Sequence, residues 1–178
     1  NKSKVLGVYS LNDELLHGDN EAQFRQLLEE LIPQYDLVIV SDYGHGMISK
    51  NIAKYITRKA PFMALNAQIN AANIGFHTMD KYKRFDCVII NETELRHELR
   101  EKQGALEPLI KKLSQKLESV YIVVTRGSNG ATLYDREMDQ FFLCPAFASK
   151  VVDKIGSGDA MLALNSVSLF NNNTPDLS

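Results

Sequence analysis

Uninterrupted apolar runs set between stretches of helical period restrict this chain to a layered α/β architecture. Asp36-Leu37-Val38-Ile39-Val40-Ser41 is one such run, and an apolar stretch of strand length without polar alternation marks a strand buried on both faces. Val120-Tyr121-Ile122-Val123-Val124-Thr125 is the strongest strand of the sequence; Val5 to Tyr9, Phe62 to Leu65 and Asp86 to Ile90 are shorter ones. Among the helical stretches, Asp19 or Asn20 caps a helix with Phe24, Leu27, Leu28, Leu31 and Ile32 at helical spacing, ended by Pro33. Ser49 caps a second, with Ile52, Ala53 and Ile56 inward. A third runs from about Glu92 to Arg100, and a fourth holds Leu106, Leu109, Ile110, Leu113 and Leu117 in phase. Ala131 to Tyr134 and Gln140 to Leu143 pair as a hairpin across the polar Asp135–Asp139 turn. The alternation predicts one domain over 1–178, a three-layer α/β/α sandwich, mostly parallel, with an antiparallel hairpin at its edge.

Composition narrows the partners. A chain of 178 residues buries a sizeable core in one domain. Its 20 basic and 22 acidic residues leave a net charge of −2 with no long block of one sign, which predicts neither a nucleic-acid nor a membrane partner. Cys87 and Cys144 stand apart without CxxC spacing and read as buried, reduced thiols, and the start Asn1-Lys2-Ser3-Lys4-Val5 has no signal-peptide layout. The expected location is cytoplasmic. The missing initiator Met and the ending Asp176-Leu177-Ser178 predict a piece of a longer protein.

In open α/β sheets, ligands bind beyond the C-terminal ends of the strands. The loops to inspect are therefore Asp42-Tyr43-Gly44-His45-Gly46, Asn66-Ala67-Gln68, Asn91-Glu92-Thr93-Glu94 and Thr125-Arg126-Gly127-Ser128-Asn129-Gly130. Residues 66–85 are the least regular stretch and are expected to hold an active-site loop. Asn91 and Glu94 form either a helix cap with its first-turn acid, or a pair of oxygen ligands holding Mg²⁺ through waters. Thr125-Arg126-Gly127 is either a hairpin turn or a hydroxyl with exposed N–H groups gripping nucleotide phosphates. Gly44 and Gly46 suit close backbone approach to a ligand and plain turn chemistry equally. The histidines show no metal spacing, and no Gly-x-Ser-x-Gly elbow offers a hydrolase nucleophile.

The densest pattern is Val152-Asp153-Lys154-Ile155-Gly156-Ser157-Gly158-Asp159-Ala160-Met161, followed by an apolar helix face of Leu162, Ala163, Leu164 and Val167. A helix starting near Ser157 points N–H groups and the positive end of its dipole into the glycine turn, which suits a phosphate or a developing oxyanion. Asp159 then stands beside an anion site, a placement that suits a base taking a proton from an attacking hydroxyl. The other reading is a helix cap with Asp159 favouring the dipole. A dinucleotide loop fits poorly, because Met161 occupies the place of the third small residue.

Together these stretches resemble the ribokinase-like (PfkB) carbohydrate kinase family. Residues 152–160 resemble its C-terminal signature of an aspartate followed by a Gly-Ala-Gly-Asp anion hole. Asn91 and Glu94 resemble its Asn-x-x-Glu motif, and Thr125, Gly127 and Gly130 its nucleotide loop. Ser41 to Gly46 is similar to the Asp-Tyr-Gly-Lys-Gly stretch of heptose 7-phosphate kinases, with His45 in place of the lysine; Ser157 replaces the usual alanine. Residues 66–97 look closer to a branch in which the kinase is joined to a nucleotidyltransferase module. The resemblance implies an ATP-dependent sugar or sugar-phosphate kinase, with Asp159 as base and Gly156, Ser157 and Gly158 as anion hole. It places Asn91 and Glu94 on Mg²⁺ and the triphosphate, and Thr125, Gly127 and Gly130 along the nucleotide groove. Asp153 falls at a monovalent cation such as K⁺, and Asp42, Gly44 and Gly46 on the sugar side. It also implies a partial family domain, without the N-terminal sugar-gripping and lid segment or the last helices. The alternative is a catalytically silent module of the same fold that binds nucleotide or sugar for regulation.

Overall fold

The computed structural model describes residues 14–68, 79–147 and 156–172. The strand expected at Val5 to Tyr9, residues 69–78 of the irregular stretch, and Asp153 lie outside them. The elements are α1 (Gly18–Leu31), β1 (Leu37–Asp42), α2 (Lys50–Lys59), β2 (Phe62–Ala67), β3 (Cys87–Asn91), α3 (Glu92–Leu99), α4 (Leu106–Leu117), β4 (Tyr121–Thr125), β5 (Ala131–Asp135), β6 (Gln140–Cys144) and α5 (Ser157–Asn172). The six strands form one sheet in chain order. β1 to β4 run parallel; β5 runs antiparallel to β4, and β6 antiparallel to β5, as the edge hairpin.

The two central strands show why continuous apolar runs were needed. Val88 and Ile90 of β3 and Ile122 and Val124 of β4 point into a core closed by Ile52 and Ile56 of α2, Leu95 of α3, and Leu109, Ile110, Leu113 and Leu117 of α4. The residues between them (Cys87, Ile89, Tyr121 and Val123) face the opposite core with Leu162 and Leu169 of α5. Strand side chains alternate between faces, so covering both faces demands an apolar residue at every position. The result is the expected three-layer sandwich. Each fully buried aliphatic side chain contributes about 1.5–3 kcal/mol of transfer free energy.

Local signals are realised at some of the helix ends. The Ser49 side chain accepts the Ile52 N–H at 3.2 Å, and α2 buries Ile52, Ala53, Tyr55 and Ile56. α4 carries its stripe as read, and ends at Glu118 in the left-handed region, with φ of 50°.

Four expectations need correction. β1 is not buried on both faces: among the described residues it pairs only with β2, and Ile39 is 40% exposed. Apolar character records that a strand is sheltered, not its place in the sheet. α1 begins at Gly18 with His17 at the cap and no side-chain cap bond, so Asp19 and Asn20 lie inside its first turn. Of its stripe, Phe24 and Leu28 pack on the core while Leu27 and Leu31 are exposed. On α5 the inward line is Leu162, Ser166 and Leu169, at i, i+4 and i+7; Leu164 is 74% exposed because it lies about 200° round the helix from Leu162. Finally, of the two thiols expected to be buried, Cys87 is, but Cys144 is exposed at the end of the edge strand β6. Within 66–85, Asn66 and Ala67 belong to β2, and Met79, Tyr82 and Phe85 are buried in the core.

Candidate active site

A crevice of about 1110 Å³ opens at the C-terminal ends of β1 to β4, where the sheet rule places it. The β2–β3 ladder stops at the Leu65–Val88 pair. Past that point the Asn66 side-chain amide donates to the Ile89 carbonyl at 2.7 Å, and its Oδ1 is buried without a donor. An orphaned acceptor on a buried side chain facing a crevice is a place for a ligand's donor or a bound water.

Helix α5 supplies one wall. Gly156 turns the chain at φ of +77°, a conformation that favours glycine, and its carbonyl accepts the Ala160 N–H at 2.9 Å to close the first turn. Gly156, Ser157, Gly158 and Asp159 all line the crevice. The first N–H groups of an α-helix have no intrahelical partner and carry the positive end of its dipole. Asp159 sits in that first turn, where its carboxylate accepts the Tyr43 hydroxyl at 3.3 Å (Oδ1) and 3.2 Å (Oδ2), and the Gln68 amide at 3.5 Å. The exits of β1 and β2 thus both reach the carboxylate carried by the first turn of α5.

The opposite end is built by β3 and β4. Asn91 caps α3: its Oδ1 accepts the Glu94 N–H at 2.8 Å, while Glu94 Oε2 accepts the Asn91 N–H at 2.9 Å. This reciprocal capping box is the bland reading made real, and both residues nevertheless line the crevice. Thr125 pairs with Asn91 across the ladder, and Gly127 and Gly130 follow on the same rim. Gly130 is required twice over, by φ of +79° and because a Cβ there would stand 2.0 Å from the Cys144 carbonyl oxygen.

The β1 loop is placed differently from the other predicted segments. The Asp42 carboxylate accepts from the Tyr82 hydroxyl at 2.7 Å and the Gly44 N–H at 2.9 Å, and pairs with Lys81 at 2.6 Å. Burial alone would raise its pKa, but Lys81, Tyr82 and Gly44 outweigh it and hold the carboxyl below its ordinary value. Gly44 and Gly46 take positive φ as turn residues, and of this loop it is Tyr43 that lines the crevice.

Sequence reasoning pointed to the right loops but missed Tyr43, Gln68, Glu92, Arg96 and Arg126 as members of the site. Glu92 accepts from Arg96 at 2.8 Å and from Arg126 at 3.2 Å. The Arg96 guanidinium, with Arg126 beside it, keeps the Glu92 carboxyl below the usual range. The Glu92–Arg96 spacing of four was legible as a helical ion pair; the approach of Arg126 was not.

Among the described residues no group of three or more His, Cys, Asp or Glu side chains is placed to hold a metal, and no helix is long and apolar enough to cross a membrane.

A model described as pfkB family carbohydrate kinase matches residues 18–176. The chain is similar to bifunctional protein HldE of Campylobacter curvus, 29% identical over 150 residues, covering 80% of this chain and 30% of that protein. In fold it is similar to phosphofructokinase-2 from Escherichia coli in complex with potassium, with a TM-score of 0.71 at 14% identity, covering 89% of this chain and 51% of that one. A ribokinase from Arabidopsis thaliana complexed with ribose and ATP gives a TM-score of 0.61 at 18% identity, covering 89% and 48%. The chain spans about a third of the length of the curated relatives it matches.

Proposed function

This chain belongs to the pfkB family of carbohydrate kinases, and on that premise we propose that it carries the phosphoryl-transfer centre of an ATP-dependent kinase acting on a sugar or sugar phosphate. The observation that carries the reading is Asp159: a carboxylate in the first turn of α5, facing the crevice beside a helix N-terminus. In the proposed reaction the acceptor's hydroxyl oxygen forms a bond to the terminal phosphorus of ATP as the bond to the bridging oxygen breaks. The electron pair leaves on ADP, and the hydroxyl proton passes to Asp159. The backbone of Gly156, Ser157 and Gly158 stabilises the charge on the phosphoryl oxygens, usually the larger share of catalysis in such sites. Thr125, Gly127 and Gly130 line the nucleotide side.

Mg²⁺ supplies charge neutralisation of the polyphosphate when bound. With no cluster of acidic ligands among the described residues, the side chains suit an ion that keeps its waters. The orphaned acceptor Asn66 Oδ1, with Asn91 at the end of β3 and Glu94 in the first turn of α3, fits such a hydrated ion. Asp42, Gly44 and Gly46 act on the sugar side by shaping the loop that presents Tyr43. A monovalent cation held by Asp153 belongs to the same proposal, supported by the potassium of the phosphofructokinase-2 complex. That the HldE relatives are bifunctional supports a fused or associated nucleotidyltransferase module. On this reading 1–178 is part of one kinase domain.

A second reading, a silent nucleotide- or sugar-binding module, is favoured by the way Asn91 and Glu94 satisfy one another. The test is ADP release by the full-length protein with Mg-ATP across free and phosphorylated sugars, heptose 7-phosphates included. A sugar-dependent signal that falls about 10²–10⁴-fold in Asp159→Asn is expected of a general base. ATP binding without sugar-dependent ADP release, or near-normal turnover in the variant, overturns it.

A further inference from the structure

Lys81 does not line the crevice, yet it closes the loop that carries Tyr43. Its ammonium pairs with Asp42 Oδ2 at 2.6 Å and donates to the Ile48 carbonyl at 2.9 Å. Asp42 is the last residue of β1, and Ile48 stands just before Ser49, the cap of α2. One cation therefore bridges the two ends of the loop 43–47. The Lys81 side chain is 13% exposed and that of Asp42 5%, so both charges have left most of their water. Taking two charges out of water costs about what their attraction returns, and an apolar pair of the same volume often serves stability as well. Stability alone is thus a weak reason for this pair; its geometry supplies a better one.

We propose that Lys81 is a positioning residue for phosphoryl transfer, acting through the loop it closes to hold Tyr43 against Asp159. This deepens the kinase reading and rests on it. Tyr43 follows Asp42 directly in the chain, and its hydroxyl reaches Asp159 at 3.2 and 3.3 Å. The near end of the loop is anchored by Asp42: Oδ2 accepts the Tyr82 hydroxyl at 2.7 Å, Oδ1 the Gly44 N–H at 2.9 Å, and its carbonyl the Gln68 N–H at 2.9 Å. The far end is tied by Lys81 at Ile48, and by the Leu16 N–H, which donates to the Gly46 carbonyl at 2.9 Å. Between these anchors Gly44 and Gly46 bring no side chain to pack, and Tyr43 is 43% exposed. Tethers at its ends, rather than burial, therefore set the shape of the loop. Releasing Lys81 lets the loop take shapes in which the phenol misses the carboxylate, and catalytic groups ordered beforehand are worth a large part of a reaction barrier.

The test is a double-mutant cycle on the full-length protein. It measures kcat for sugar-dependent ADP release, and ADP affinity by calorimetry, in Lys81→Met, Tyr43→Phe and the two combined. Lys81→Met is expected to lower kcat by about as much as Tyr43→Phe, about 2–10-fold, with ADP affinity within about twofold of the unaltered protein. The combined variant should be no slower than Tyr43→Phe alone, because residues that act through one contact are not additive. A structural role for Lys81 lowers the folded fraction alike in both backgrounds, so the two losses multiply; that result overturns the proposal. So does an unchanged kcat in Lys81→Met, or an equal fall in ADP affinity. Lys81→Met strands the buried Asp42 charge; if it does not fold, Asp42→Asn/Lys81→Met, which removes both charges together, takes its place in the cycle. If the unaltered protein releases no ADP with any free or phosphorylated sugar, heptose 7-phosphates included, the kinase reading itself falls and this one with it.

Discussion

The Tyr43 hydroxyl donates to the Asp159 carboxylate, 3.2 Å from Oδ2 and 3.3 Å from Oδ1, joining the loop after β1 to the first turn of α5. A carboxylate held by a phenol from one side has its orientation fixed before any ligand arrives, which on the proposed kinase reading is the acceptor hydroxyl. Tyr43→Phe removes that donor and leaves the ring. The expected outcome is a fall in kcat of about 2–10-fold, the worth of one net hydrogen bond, with ATP affinity unchanged. Steady-state kinetics with separately measured nucleotide binding checks it.

The capping box makes Asn91 a structural residue whatever else it does. Asn91→Ala leaves the Glu94 N–H at the start of α3 without its acceptor, and a stability loss of about 0.5–2 kcal/mol in urea denaturation is expected. Asn91→Ser keeps a capping oxygen and should recover most of that loss. If nucleotide binding falls in both variants while stability falls only in the first, the side chain has a ligand role beyond its cap.

Asp42 predicts a pH dependence. Its folded pKa lies below the ordinary value of 3.8. A depressed carboxylate contributes stability that is fully present above the unfolded pKa and lost as pH falls through the folded value. Acid unfolding should therefore steepen below about pH 4. In Asp42→Asn the acid limb should flatten, and stability at neutral pH should drop by about 3 kcal/mol, because Lys81 is left in a largely buried place without its charge partner. Urea unfolding midpoints followed from pH 7 to pH 3 would show both effects.

Gly130 tests the packing of the turn after β4 against the end of β6. The Cβ of Gly130→Ala would meet the Cys144 carbonyl at 2.0 Å and the Ala146 nitrogen at 2.9 Å, all backbone atoms that cannot rotate away. Overpacking of this kind costs about 1–3 kcal/mol, with the positive φ adding to it. Gly127, also at positive φ but with open space about its Cβ position, should lose only the conformational part on substitution by alanine. Thermal unfolding of the two alanine variants should rank them in that order.

Much of this architecture was legible from residue order. The α4 stripe, the Ser49 cap, the Asn91–Glu94 spacing and the β5–β6 hairpin all depend on contacts a few residues apart, where chain geometry leaves little choice. The apolar runs of β3 and β4 were read as strands, and the fold covers both of their faces. The same pattern misled at β1, whose edge position depends on which strands pair beside it.

Asp42 and Asp159 mark the boundary between what sequence and tertiary structure each decided. Both are aspartates beside glycine-containing turns at element ends, and local chemistry does not show which of them other side chains will hold inside the fold. The chain by itself determined that each would stand at the crevice end of the sheet, because strand and helix periodicity count residues along the backbone. Only the tertiary structure turned Asp42 onto Tyr82, 40 residues away, and brought Tyr43 to Asp159 across 116 residues. Which carboxylate is spent inside the fold and which faces the crevice depends on partners that meet only when the sheet and both helix layers are assembled. Spacing along the chain carries no record of them.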